Sequence, residues 1–152
     1  MRKLTEVEEA KTLMTEAINW SVMKWMTEKK RVRRVADQAN AALDELDRSV
    51  KERWSHEKKT AYDELTRENG ENSKSRRPAV ASSKSVSPSP EIRQFVRQVK
   101  EADDEAHRAR MDAERTFDEA ERQLSTSKAR EGCQKAIRSW DLHEKAIRRA
   151  EA

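Results

Sequence analysis

His56, His107, His143 and Cys133 are the side chains best suited to acid–base, nucleophilic or metal chemistry, and their spacing limits what they can do. None of the histidines neighbours a serine or cysteine in a nucleophile motif. Cys133 and His143 stand ten residues apart, which on one helix separates them by roughly 15 Å, too far for a nucleophile and its base. Cys133 therefore reads as a small residue of a helix seam. Glu52 with His56, and Asp103 or Asp104 with His107, have the i, i+3 or i+4 spacing of helical metal ligands. Glu52 and His56 lie off the apolar stripe of their segment, so solvated charged faces are the simpler reading. The expectation is no catalytic residue, no metal, no cofactor and no small-molecule substrate.

Binding chemistry is better represented. Residues 20–34 mix Trp20, Met23, Trp25 and Met26 with six cations, Lys24, Lys29, Lys30, Arg31, Arg33 and Arg34, against a single acid, Glu28. Adaptable methionine and tryptophan side chains bordered by cations suit an acidic protein partner. Tryptophan among lysine and arginine also suits an anionic membrane surface, and the run 29–34 suits nucleic-acid phosphates or a nuclear-import segment. The plain alternative is a seam containing Val22 and Trp25 beside a solvated basic face. Trp20 and Met26 flank the stripe and widen its apolar surface beyond what one partner helix covers. Self-association through this end is the leading expectation, with a different protein second.

These side chains need helices to position them. From Leu4 to Leu65 apolar residues recur with helical period and no Gly or Pro interrupts them, which predicts one amphipathic helix over residues 1–67, on the order of 90 Å long. Thr5 with Glu8 forms a capping-box start, and Asn69-Gly70 suits a left-handed end. Residues 68–90, with seven serines and three prolines, predict a disordered Ser/Pro-rich linker. Ser87-Pro88 and Ser89-Pro90 match the pattern used by proline-directed kinases, although composition favours a plain linker. Ser89-Pro90-Glu91 then starts a second helix over 91–152. Its stripe is rich in alanine from Ala102 to Ala120, small enough to face Leu43, Leu46, Val50 and Trp54. After Leu124 the stripe slips in phase, so a kink or break is expected near 125–132.

Charged residues make up 41% of the chain and apolar ones 34%, a long-helix composition ill suited to a thick interior. The net charge of +4 is small, but its sign alternates by block: basic over 20–34, acidic over 100–121, basic again over 122–149. An acidic block of that size would repel phosphate. One cysteine forms no internal disulfide, no apolar run spans a bilayer and no signal-peptide core follows Met1, so a cytoplasmic location is expected, with a nuclear one as the alternative in a eukaryote.

The all-α architecture expected is an elongated two-helix antiparallel coiled-coil hairpin, with Leu65 beside Ile92. That register sets Glu6, Glu8 and Glu9 against Arg148 and Arg149, and gathers Ile18, Trp20 and Trp25 near Ile137 and Trp140. It also faces residues 20–34 with another basic stretch, leaving their charge unanswered. In outline such a hairpin resembles the central-stalk coiled coils of flagellar and type III secretion ATPases, a likeness of architecture carried by no motif. The function expected is a non-enzymatic assembly or adaptor protein, with Trp20, Met23, Trp25, Met26, Lys29, Lys30, Arg31, Arg33, Arg34 and Trp140 as partner contacts. The alternatives are a basic-surface module for nucleic acid or anionic membrane through 24–34, and a stalk-like part of a larger machine.

Overall fold

The computed structural model describes residues 2–71 and 88–152, with side chains over 5–67 and 88–152. Among the described residues 91% are helical and none lies in a strand. The long first helix is replaced by three: α1 (Arg2–Ala17), α2 (Val22–Glu52) and α3 (His56–Glu71). The breaks fall at serines that recap the chain. Ser21 Oγ accepts the Lys24 N–H and Ser55 Oγ accepts the Lys58 N–H, each at 3.2 Å. A serine cap is worth about 1 kcal/mol, so stopping and restarting costs little, and folding back lets the apolar stripe cover itself. The helical period continues across both breaks, which is why periodicity concealed them.

The outer ends also differ from expectation. Because α1 begins at Arg2, Thr5 lies within it instead of capping it. Helix α3 runs past Asn69-Gly70 to Glu71, and no described glycine has positive φ, so the expected left-handed end is not formed. Residues 68–71 and 88–90 of the predicted linker thus belong to helix ends and a cap, while 72–87 lie outside the described residues.

Helix α4 (Pro90–Gln123) starts as its sequence indicates: Ser89 Oγ accepts the Ile92 N–H at 3.2 Å, Pro90 leads and Glu91 follows. At its far end the predicted kink is a full reversal. Leu124 adopts the left-handed conformation (φ 52°, ψ 44°), Ser125 caps the next helix, and α5 (Thr126–Glu151) returns along α4. Lys128 reaching Glu119 and Lys135 reaching Asp112 fix this antiparallel pair. The α4 and α5 backbones pack more extensively on each other than any other pair of helices, while Ala113 and Ala120 of the α4 alanine stripe also border α2. Gly132 lies inside α5 against the Phe117 ring and is no breakpoint.

Helices α2 and α4 are antiparallel, since Arg33–Glu121, Asp44–Arg110 and Lys51–Asp103 step along them in opposite directions. Helix α5 runs alongside α2 in the same sense: Arg130 donates to the Trp20 carbonyl, Trp140 to Asn40 and Trp54 to the Ala150 carbonyl, each at 2.8 Å. Helix α1 closes over both, burying Val7, Ala10, Leu13, Met14 and Ala17. Lys11 ties it to Asp141 at 2.7 Å and Glu144 at 3.2 Å; no described ion pair joins Glu6, Glu8 or Glu9 to Arg148 or Arg149. The five helices share one core, with a Trp54, Tyr62 and Phe95 cluster where α2 turns into α3. A five-helix bundle thus stands in place of the two-helix rod.

Candidate functional site

Two clusters could carry chemistry. The first joins α2, α3 and α4: Lys51 Nζ lies 2.6 Å from Asp103 Oδ2, 3.2 Å from Asp47 Oδ2 and 3.3 Å from the Tyr62 hydroxyl. The Tyr62 hydroxyl donates to the same Asp103 oxygen at 2.6 Å. Burial pulls the Lys51 pKa down, but Asp103 and Asp47 outweigh it and hold the ammonium charged. Burial and Asp103 raise the Tyr62 pKa, so the phenol stays protonated. The cluster acts as a clamp between three helices. It also dissolves one suggested metal pairing, because Asp103 is committed to Lys51 and Tyr62, while Glu52 and His56 fall on opposite sides of the α2–α3 break.

His143 lies near this cluster and gives a pH-dependent prediction. Burial lowers its pKa below 6.5, outweighing the pull of the Asp47, Asp44 and Asp103 carboxylates, while Arg110 lowers it further. The unfolded chain therefore takes up a proton at pH values where the folded chain does not. Stability is fully present above pH 6.5 and declines as pH falls from there towards the lower folded value. Urea titrations at pH 7.5, 6.0 and 5.0 should show this loss, and His143→Gln should flatten that part of the curve; an unchanged slope would remove His143 as its source. Cys133, by contrast, is pushed up to about 12 by burial and is an inert packing thiol.

The second cluster is a groove at one end of the bundle. Ser21 starts α2 so that Val22, Trp25, Met26, Lys29, Val32 and Arg33 share a face by three- and four-residue steps. The opposite wall is the α4–α5 reversal, including Phe117, Ala120, Leu124 and Ala129. The space within it measures about 60 Å³. Small-molecule clefts begin near about 300 Å³, so this space suits one or two apolar side chains of a macromolecule. Around it stand Val22, Met23, Met26 and Leu124, four of the five large apolar side chains exposed among the described residues. Met23 is 76% and Leu124 72% exposed.

The predicted contact residues divide between this end and the interior. Trp25, Met26, Lys29 and Arg33 line the groove, and Met23, Lys30 and Arg34 occupy adjoining exposed positions of α2. Trp20, half-buried, packs edge-on against Trp25 at 5.5 Å, with the Lys24 ammonium 5.4 Å from its ring centre. Trp140 is elsewhere: it is 1% exposed, and its indole N–H is bound to Asn40 Oδ1 inside the core. The hairpin register brought it to the patch on paper, but α5 carries it to the middle of the bundle.

The charge map is corrected as well. Arg33 is answered by Glu121 at 3.1 Å and Asp118 at 3.3 Å while its guanidinium covers the Phe117 ring, and Arg31 is answered by Glu28 at 3.2 Å. Lys29, Lys30, Arg34 and Arg122 have no carboxylate partner among the described residues. The basic stretch is thus partly neutralised by the acidic block of α4. Sequence reasoning missed Phe117, Ala120, Leu124 and Ala129 as groove residues. The available signal was Leu124, an apolar residue placed against Ser-Thr-Ser where a turn was expected.

The fold and groove define an all-α bundle with an apolar cleft that Lys29 and Arg33 border, and no described helix is long and apolar enough to cross a membrane. Compared with known proteins, the chain matches no family model, no curated protein and no solved structure.

Proposed function

We propose that this protein is a non-enzymatic assembly or adaptor component that binds protein partners through the groove end of its bundle. The observation that supports this is the gathering of Val22, Met23, Met26 and Leu124, all exposed, around an apolar cleft at one end of an otherwise charged molecule. Exposed apolar side chains scattered singly need no explanation, whereas a contiguous set beside a cleft is the signature of an interaction surface. The unanswered Lys29, Lys30, Arg34 and Arg122 support a second reading, a basic surface for nucleic acid or anionic membrane.

Affinity capture of the tagged chain, washed at low and moderate salt, separates the two readings. Wild-type chain should retain specific proteins through the higher-salt wash, and a Met23→Glu, Met26→Glu variant should lose them while keeping its helical circular dichroism. Recovery of nucleic acid or lipid alone, removed by salt, would replace the protein-binding reading with the basic-surface one.

A further inference from the structure

From the groove's geometry and charge we infer that its occupant is an acidic amphipathic helix of another protein. This rests on the protein-binding reading and names the partner's chemistry. The groove follows the face of α2 from Val22 to Arg33, about three helical turns, a length that suits a helix laid into it better than a single inserted loop. Its floor of Trp25, Val32, Phe117 and Ala120 is apolar. Lys29 on its wall and Lys30 at the next position of α2 lack carboxylate partners among the described residues, while the acid of the lining, Glu121, is paired with Arg33. A second copy seated face to face would set these cations against one another, whereas glutamates bordering a partner's apolar stripe would answer them.

Two features that folding leaves unexplained sit at this groove. Leu124 holds a left-handed backbone, a conformation that glycine or asparagine adopts with less strain, yet its side chain is 72% exposed and gains little from the core. A strained, exposed leucine on the rim is accounted for when a partner covers it. The indole N–H of Trp25, part of the lining, is buried without an acceptor among the described residues.

The test is a displayed library of 18-residue helical peptides with apolar residues fixed at i, i+3, i+4 and i+7 and Glu, Lys, Gln or Ser allowed elsewhere, selected on the full-length chain. Enrichment of glutamate beside the apolar stripe is expected, and enriched peptides should bind Met26→Glu at least about tenfold more weakly by fluorescence anisotropy. Leu124→Gly should weaken binding about fivefold while leaving the melting temperature equal or higher, a pair of effects that a purely structural leucine would not give. Enrichment of lysine, no enrichment, or equal binding by Leu124→Gly would overturn the inference. If the library fails while affinity capture still yields proteins lost from the Met23→Glu, Met26→Glu variant, the general protein-binding reading stands and the acidic-helix partner falls. Binding to anionic vesicles or single-stranded DNA with no acidic-peptide enrichment would replace it with the basic-surface reading.

Discussion

Trp140→Ala should lower the stability of the bundle by about 3–5 kcal/mol, the range seen when a buried large aromatic residue is truncated. Trp140 is among the largest fully buried side chains, it sits where α5 meets α2, and its indole N–H donates to Asn40 Oδ1 at 2.8 Å. Both the apolar ring and the hydrogen bond are therefore lost, and a cavity remains between two helices that α1 also covers. Domains of this size have about 5–15 kcal/mol of stability in total, so a large share of it disappears. Asn40→Ala separates the two terms: it keeps the ring and orphans only the indole N–H, at about 1–3 kcal/mol. Urea melts followed by circular dichroism check both variants. A loss below about 1 kcal/mol for Trp140→Ala would mean that the ring is not interior and that α5 does not pack as described.

Gly132→Val should be the second large effect. A Cβ at position 132 would lie 2.9 Å from Phe117 Cδ1 and 3.0 Å from Cε1, closer than carbon atoms pack, and these are atoms of a rigid ring. Valine adds two further carbons and the ring has little room to turn, so α5 must move away from α4; overpacking of this kind costs about 1–3 kcal/mol and sometimes more. Alanine gains up to about 1 kcal/mol of helix propensity over glycine, which offsets part of the clash and makes Gly132→Ala the milder variant. Because Phe117 also lines the groove, Gly132→Val should disturb peptide binding as well as stability. A thermal melt of Gly132→Val indistinguishable from wild type would refute the close α4–α5 approach.

Local chemistry was legible where it depends on neighbours in the chain. Ser89, Pro90 and Glu91 marked the start of α4, and the structure places that cap as the residues indicate. The disturbance after Leu124 was legible as a loss of phase, although a change of phase does not distinguish a kink from a reversal. The reversal depends on Gly132 and the alanines letting α5 lie close to α4, a contact between residues distant in sequence. The breaks at Ile18–Ser21 and Arg53–Ser55 were hidden because serine caps are common in loops and helices alike and the apolar period ran on unchanged through them. The groove followed the same division. Trp25, Met26, Lys29 and Arg33 were visible in the sequence as candidate contacts, while Phe117, Ala120 and Leu124 reach the groove only because α4 packs antiparallel to α2, and Ala129 only through the return of α5.

By itself, then, the sequence determined that this chain is helical, where its apolar stripes run and which end of α2 gathers tryptophan, methionine and positive charge. Those properties follow from spacing along one backbone, which a period of 3.6 residues records directly. The tertiary structure decided how many helices share the stripes, that Trp140 is core rather than surface, and that Asp118 and Glu121 neutralise Arg33 while Lys29 and Lys30 are left unanswered. An amphipathic helix specifies that its apolar face must be covered, and the choice among covering partners rests on the size of the side chains that meet, here alanine and glycine of α4 and α5.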